Sequence, residues 1–414
     1  MTIECHYGRS KGVGARGDTG ALPDADRQKF KTCTVPMKYN YARVTFTGPT
    51  IAATRDAKGA YARVVDTEIR GAVTDLQKEI NRQLWGGGYG VLGRWESGAS
   101  SAQYWAKAYR GNTVASDGFG STFGGKYVEE NGAAVIVIMS SKASSKFTVV
   151  AVDGTDVNVS AVDSTTYTSK DGITMTSTGS TEATGAYFIR PGNSPAAWAN
   201  TDAAGAHRYE MMGIRGVVTN QNLDEISLFD ASSNAGFVTN DPFQDLSCTS
   251  TYTWWRSNVM THPSGRYGGQ RALSLDLMQQ MFDKVEIKAG KDYGPDLIMT
   301  THSLRREYLE LMQADRRNVN TMKLDGGFTA LEYNGIPLMV DYDAIDGEIY
   351  FLTTKDLAIF RMSDYDWMTK DGAVLSRISG YDAYEAVLFR YAELGARRRN
   401  SHGVICDLNY TGDR

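Results

Sequence analysis

Few residues in this chain have the types and spacing that chemistry needs. Gly88-Tyr-Gly90-Val-Leu-Gly93 formally matches the dinucleotide fingerprint. That fingerprint works when a strand delivers the glycines and a helix N-terminus then receives the pyrophosphate. Here a long helical pattern precedes the glycines and no amphipathic helix follows them. A phosphate would meet carbonyls, so a helix stop and turn is the expected reading. Asp341, Asp343 and Asp346 form one acidic cluster, and Asp364, Asp366 and Asp371 another. A calcium loop starting at Asp341 would need a bidentate Glu at its twelfth position, where Leu352 stands. Both clusters are expected to be solvated turns. The five histidines, His6, His207, His262, His302 and His402, make no paired metal spacing. His302 opens an expected helix but has no Ser or Cys nucleophile motif beside it. Tyr252-Thr-Trp254-Trp255-Arg256 could stack on bases or sugars, yet such runs serve more often as core or subunit anchors. The expectation is a chain with no catalytic, cofactor-binding or metal-binding residues, and not an enzyme.

The elements behind these residues are clearer than the sites. Tyr41 to Thr47 alternates, with Val44 and Phe46 between polar neighbours, and reads as a strand ending near Gly48-Pro49. Tyr61, Val65, Ile69, Ala72, Leu76, Ile80 and Leu84 then recur at steps of three or four. They form one apolar stripe, with Arg63, Asp66, Arg70, Lys78 and Arg82 expected away from it. About 27 residues at ~1.5 Å each give a rod of roughly 40 Å. From Asn131 to Arg190 short strands (Val135–Ile138, Phe147–Val150, Asp156–Val159, Tyr187–Ile189) are punctuated by Asp153-Gly154 and Asp171-Gly172. That texture predicts a small inserted all-β module. Arg271 to Val285 returns to a helical stripe: Leu273, Leu277, Met278, Met281, Phe282 and Val285. Strands at Leu297, Ile336, Glu348 and Leu357, and a helix from Leu304 to Met312, follow. The longest strand runs from Ala383 to Gly395, apolar on nearly both faces and so expected near a sheet centre. The fold class is α+β.

Composition narrows the function classes. The chain has 414 residues, 42% apolar and 22% charged, with a formal net charge of −4. That balance supports more than one packed unit and gives no general attraction to nucleic acid or anionic lipid. The largest basic run is Arg397-Arg398-Arg399, expected to be solvated or paired with a neighbouring subunit. Cys5, Cys33, Cys248 and Cys406 lack metal spacing and are expected as free thiols in a reducing compartment. No apolar run suits a signal peptide or membrane span, so synthesis and assembly in the cytoplasm are expected. Met1 to Pro36 is polar, rich in Gly and charge, and reads as unpatterned. Alone, such a segment cannot offset its ordering entropy, so it is expected either as a disordered tail or as a segment ordered by lying on another chain.

Three stretches carry a family resemblance. They are Phe46-Thr-Gly-Pro-Thr-Ile-Ala-Ala-Thr; Pro295-Asp-Leu-Ile-Met-Thr-Thr through Tyr333-Asn-Gly-Ile-Pro-Leu-Met-Val-Asp to Ile359-Phe-Arg-Met-Ser-Asp; and Asp382-Ala-Tyr-Glu-Ala-Val-Leu-Phe-Arg-Tyr-Ala-Glu-Leu-Gly-Ala-Arg-Arg-Arg-Asn. In that order they resemble the major capsid proteins of tailed bacteriophages, the Hong Kong 97-type coat family. The resemblance spans about two thirds of the chain. It implies an N-terminal arm and extended loop (1–48), a peripheral domain with a spine helix (49–95), and an axial domain (295–351). It also implies a return to the peripheral domain (352–414), with 206–294 connecting and 96–205 an insertion around a β core at 131–190.

The implied function is a coat subunit assembling as hexamers and pentamers into an icosahedral head around double-stranded DNA. Implied partners are further copies of itself, a separate scaffolding protein, a portal and a decoration protein. DNA contacts would not be sequence-specific, and no membrane is involved. The expected inter-subunit residues are Arg9, Lys11, Arg16 and Lys31 in the arm, with Trp254 and Trp255 as apolar anchors. An encapsulin-like cellular shell is the alternative within the same fold. A carbohydrate-binding or hydrolytic protein built on the β module is the alternative from another class.

Overall fold

Residues 1–18, 20–49, 58–88, 209–220, 242–248, 251–263, 270–290, 293–314, 329–345, 347–369 and 372–409 are described in the computed structural model. The backbone of the strands between 91 and 189 and of 321–323 is described as well. The expected α+β class is what the chain adopts. The spine helix, α1 (Lys58–Gln83), spans 26 residues. Its buried face carries Leu76 and Ile80, with Val73 and Leu84 partly buried beside them. These side chains pack on a four-stranded antiparallel sheet. At its centre is β20 (Ala383–Ala396), 14 residues long. One edge of β20 pairs with β3 (Lys38–Thr47), and the other with β18 (Leu357–Trp367) and β19 (Ser376–Arg377). The alternation of β20 explains the packing: Ala386, Leu388 and Ala392 are buried, and Leu388 and Ala392 lie against α1's stripe.

A second sheet has seven strands and mixed direction. Its order is β12 (Asn258–Met260), β21 (Gly403–Ile405), β17 (Ile349–Leu352), β13 (Leu297–Thr300), β16 (Ile336–Val340), β15 (Thr329–Tyr333) and β14 (Thr321–Lys323). The β12–β21 and β13–β16 pairs are parallel, and the others antiparallel. Period-two alternation sorts its residues onto two cores. Ile349, Phe351, Ile298 and Ile405 face one side, where α3 (Leu275–Ala289) and α4 (His302–Ala314) supply Met278, Met281, Val285, Leu304 and Tyr308. Tyr350, Leu352, Val404 and Cys406 face the other, against Trp85, Val217 of the short helix α2 (Ile214–Val217), Phe243 and Trp255. Local signals set α3's limits: Ser274 accepts from the Leu277 N–H at 3.2 Å, and Gly290 sits at φ 92° just past the last turn. The segments 295–351 and 352–414 both supply strands to this sheet, since β21 lies between β12 and β17.

The β-rich middle is a six-stranded antiparallel sheet. Its order is β4 (Val91–Arg94), β11 (Tyr187–Ile189), β6 (Ala134–Met139), β7 (Lys142–Asp153), β8 (Asp156–Ser160) and β5 (Gln103–Lys107). A separate hairpin joins β9 (Thr166–Thr168) and β10 (Thr174–Thr176). The sheet therefore includes strands that precede Asn131. Gly93, the last glycine of the fingerprint match, is in β4 opposite Phe188. With α1 ending ahead of the glycines and a strand following, no helix N-terminus stands where a pyrophosphate would need one.

The N-terminal segment departs from the sequence expectation. β1 (Thr2–Gly8) and β2 (Lys29–Thr34) form an antiparallel hairpin that packs on its own chain. Ile3, Cys5 and Tyr7 alternate with Thr2, Glu4 and His6, a strand pattern that becomes visible once cysteine is counted as a small apolar group. Cys5, Cys33 and Val35 are buried, which gives the segment the apolar anchorage that its overall polarity obscured.

Candidate assembly interface

The arm hairpin is held to the body by aromatic side chains. Residues 252–256 form a tight turn that buries Trp255, 1% exposed, with its indole N–H donating to the Phe243 carbonyl at 3.3 Å. Trp254 is half-buried on the outer side of that turn. Tyr7 stacks on it with ring centroids 5.0 Å apart and an interplanar angle of 15°. Lys31 lies 5.4 Å from the centroid of the Tyr252 ring, within reach of a cation–π attraction. The register between β1 and β2 shifts between His6 and Gly8, so Tyr7 occupies an irregularity with no opposite residue. Such a bulge re-aims a side chain, here onto Trp254.

The two tryptophans expected as subunit anchors therefore divide. Trp255 belongs to its own chain's core and has no face left for a neighbour. Trp254 is occupied by the arm of the same chain. Lys31 likewise meets an intrachain ring.

Arg9, Lys11 and Arg16 lie in the exposed loop that joins β1 to β2. Asp26 organises that loop, accepting from the backbone N–H groups of Lys11 at 2.9 Å and Arg27 at 2.8 Å. Those bonds hold its carboxyl below the usual carboxylate range. Ser10 donates to the Asp26 carbonyl at 2.9 Å. The Arg16 guanidinium donates to the carbonyls of Ala21 and Ala15. Arg9 lines an open cleft of about 750 Å³ with His6, Ser10, Val13, Gln28 and Phe30. The loop thus presents three cations at the surface without engaging them in an ion pair among the described residues.

Several polar residues are internal, among them Arg82, expected away from the helix's apolar stripe, and Arg399 of the basic run. Arg82 is 1% exposed and pairs with Glu210 at 2.7 Å and with Glu79. Burial alone would lower its pKa, but the two carboxylates outweigh that and raise it. Gln83 donates to Asn40 of β3 at 2.9 Å and accepts from the Met211 N–H at 3.0 Å, tying α1's end to two other segments. Arg215 meets Glu348 at 3.3 Å, and Tyr350 donates to the same carboxylate. Arg399 is fully buried, donating to the Val217 carbonyl at 2.7 Å and the Gly216 carbonyl at 3.3 Å. Burial pushes it down to about 10. Arg398 lies over the Tyr293 ring at 3.6 Å. Of the arginine run expected to be solvated or paired with a neighbouring subunit, Arg398 and Arg399 are engaged within the chain where β20 leads into β21, and Arg397 is exposed.

The remaining candidates are structural too. Asp341 and Asp343 accept from Asn81 at 3.2 and 2.7 Å, and Asp341 also accepts from the Trp85 indole at 3.0 Å. They bind the end of α1 to the seven-stranded sheet. Asp364 pairs with Arg361 at 2.6 Å and Arg390 at 3.5 Å. Asp346 and Asp371 lie outside the described residues. His402 is wholly buried, its Nδ1 accepting from the Thr353 N–H at 3.2 Å. Among the described residues, no group of three His, Cys, Asp or Glu side chains could hold a metal ion. No described helix is long and apolar enough to cross a membrane.

No protein-family model and no curated protein matches the sequence. The fold, however, is similar to solved structures. A chain in the capsid asymmetric unit of cyanophage A-1(L) is 16% identical, with a TM-score of 0.50, covering 98% of this chain and 88% of that one. A chain of Gordonia phage Cozz is 10% identical, TM-score 0.40, covering 99% and 81%. A chain of an encapsulin complex from Synechococcus elongatus is 11% identical, TM-score 0.29, covering 38% and 56%. The class that emerges is an α+β fold shared with a phage shell over nearly its whole length.

Proposed function

We propose that this chain is the major coat protein of a tailed phage, a structural subunit and not a catalyst. The observation that carries the reading is the shared fold with the cyanophage capsid chain, which runs from one end of this chain to the other. The internal use of nearly every candidate reactive group agrees with it. In this reading copies assemble as hexamers and pentamers, in the Hong Kong 97-type arrangement, into an icosahedral head around double-stranded DNA. Residues 1–48 are the arm and extended loop, 49–95 and 352–414 the peripheral domain, and 295–351 the axial domain. Residues 206–294 connect them, and 96–205 form an insertion on the outer surface. Arg9, Lys11 and Arg16 are the arm residues left to meet acidic patches on neighbouring subunits, and repeated modest contacts then add up over a closed shell. A scaffolding protein, a portal and a decoration protein are the natural companions, and the particle is the virion head, assembled in the host cytoplasm.

Negative-stain microscopy with sedimentation of the purified protein tests this. Closed shells or hexameric rings are expected, with DNA inside particles recovered from infected cells. Protein cargo in place of DNA would transfer the reading to an encapsulin-like compartment. A strictly monomeric particle, both purified and in a phage-infected lysate, would overturn it.

A further inference from the structure

The arm hairpin contains a second device besides its aromatic clamp. The Sγ atoms of Cys5 and Cys33 are 2.6 Å apart, within about 0.6 Å of a disulfide bond length. Both cysteines are free, and both are buried, at 1% and 0% exposure. Register explains the meeting: Cys5 is opposite Lys31 and Cys33 opposite Ile3, so the two thiols lie on one face of the hairpin, diagonally across the ladder. Cys248 and Cys406 are also buried free cysteines, and the pair singled out by an Sγ–Sγ contact is Cys5 with Cys33.

We propose that Cys5 and Cys33 are an oxidation site that closes to a disulfide and staples the arm hairpin in its register. The oxidant we name is a small peroxide, because a larger disulfide reagent cannot reach two buried thiols without opening the hairpin. One thiolate attacks a peroxide oxygen and becomes a sulfenic acid, releasing water. The second thiol then attacks that sulfur and displaces a second water. Two S–H bonds are lost, one S–S bond forms, and the O–O bond is reduced to two waters. The contact favours Cys33 as the attacking sulfur, since the hydrogen bond from Cys5 lowers its pKa, while that same hydrogen bond and then burial raise the pKa of Cys5.

The position gives the staple a consequence. Cys5 precedes Tyr7 by two residues and Cys33 follows Lys31 by two, so the bond would fix the spacing of the two side chains that grip Trp254 and Tyr252. It would also close the loop carrying Arg9, Lys11 and Arg16. Closing a loop of this length should shift the hairpin's opening equilibrium on the order of a hundredfold.

The test uses the full chain, reduced and then exposed to hydrogen peroxide. Unfolding, thiol alkylation and peptide mass mapping follow. The expected product links the Cys5 peptide to the Cys33 peptide within one chain, two hydrogens lighter than their sum, with Cys248 and Cys406 alkylated. Backbone amides of Thr2–Gly8 should exchange about a hundredfold more slowly after oxidation, and this slowing should vanish in Cys33→Ser. Full alkylation of Cys5 and Cys33 after peroxide, or links between different chains, would overturn the proposal.

Discussion

Tyr7 and Trp254 lie ring on ring, 5.0 Å between centroids, although 247 positions separate them in the chain (254 less 7). The arm is thus clamped to the body of its own subunit at one aromatic contact, aided by Lys31 above Tyr252. Truncating either ring should loosen β1 while leaving the two sheet cores intact. In a double-mutant cycle of Tyr7→Ala and Trp254→Ala, read by hydrogen exchange of the Thr2–Gly8 amides, we expect a coupling of about 0.5–1.5 kcal/mol. Additive effects would mean that the hairpin's buried Cys5 and Cys33, with partly buried Ile3, hold the arm without the stack.

The Arg82 network should show the asymmetry of buried charge. Arg82→Ala leaves Glu210 buried without its cation, and such a break costs about 3–5 kcal/mol. Replacing both, as Arg82→Met with Glu210→Leu, should cost less than the single change, since the buried carboxylate goes with its cation and only the more exposed Glu79 loses its partner. Urea unfolding of the three proteins checks this. A double variant as unstable as Arg82→Ala would assign Arg82's contribution to its packing and its Glu79 contact.

The contrast between what was legible and what was not follows from range. The stripe of α1 was readable because Leu76, Ile80 and Leu84 recur within a few turns, and α3 because Leu277, Met278, Met281 and Val285 do the same. The coat-family likeness was readable in the strands around Leu297, Ile336 and Ala383. The buried arginines were not. Arg82 meets Glu210 and Arg399 meets Val217 across 128 and 182 positions, and nothing in their immediate neighbours distinguishes them from solvated cations (210 less 82, 399 less 217). The arm was misjudged for a different reason. Its alternation rests on Ile3, Cys5 and Tyr7, and reading the segment by its overall polarity hid a three-residue strand signal.

His402 makes stability depend on acid. Its burial, with the Arg399 charge nearby, lowers its pKa to about 3, against about 6.5 when unfolded. A base depressed in this way binds its proton more readily in the unfolded chain. The stabilisation is therefore fully present above about pH 6.5 and falls as pH drops toward 3. Urea midpoints measured from pH 7.5 to 4.5 should decline on the acid side. His402→Leu should flatten that slope even though it lowers stability at pH 7.5 by losing the Thr353 N–H acceptor. An unchanged slope in the variant would assign acid sensitivity to other groups.

Gly213 sits where the chain docks against the end of α1, and it is needed for space, since its φ of −108° suits any residue. A Cβ there would lie 2.3 Å from the Gly86 carbonyl oxygen, 2.5 Å from the Gly86 nitrogen and 2.6 Å from the Gln83 carbonyl oxygen. These are backbone atoms that cannot swing away, and the neighbouring Ile214 N–H donates to the Leu84 carbonyl at 2.6 Å. Gly213→Ala must therefore push the segment off the helix end, at about 1–3 kcal/mol. Gly71, within α1 and with nothing inside 4 Å of a Cβ, is the control: Gly71→Ala should stabilise by about 0.4–1 kcal/mol. Thermal melts of the two variants should move in opposite directions. If Gly213→Ala melts like the parent, the close approach at the end of α1 is not what joins the spine helix to residues 211–217.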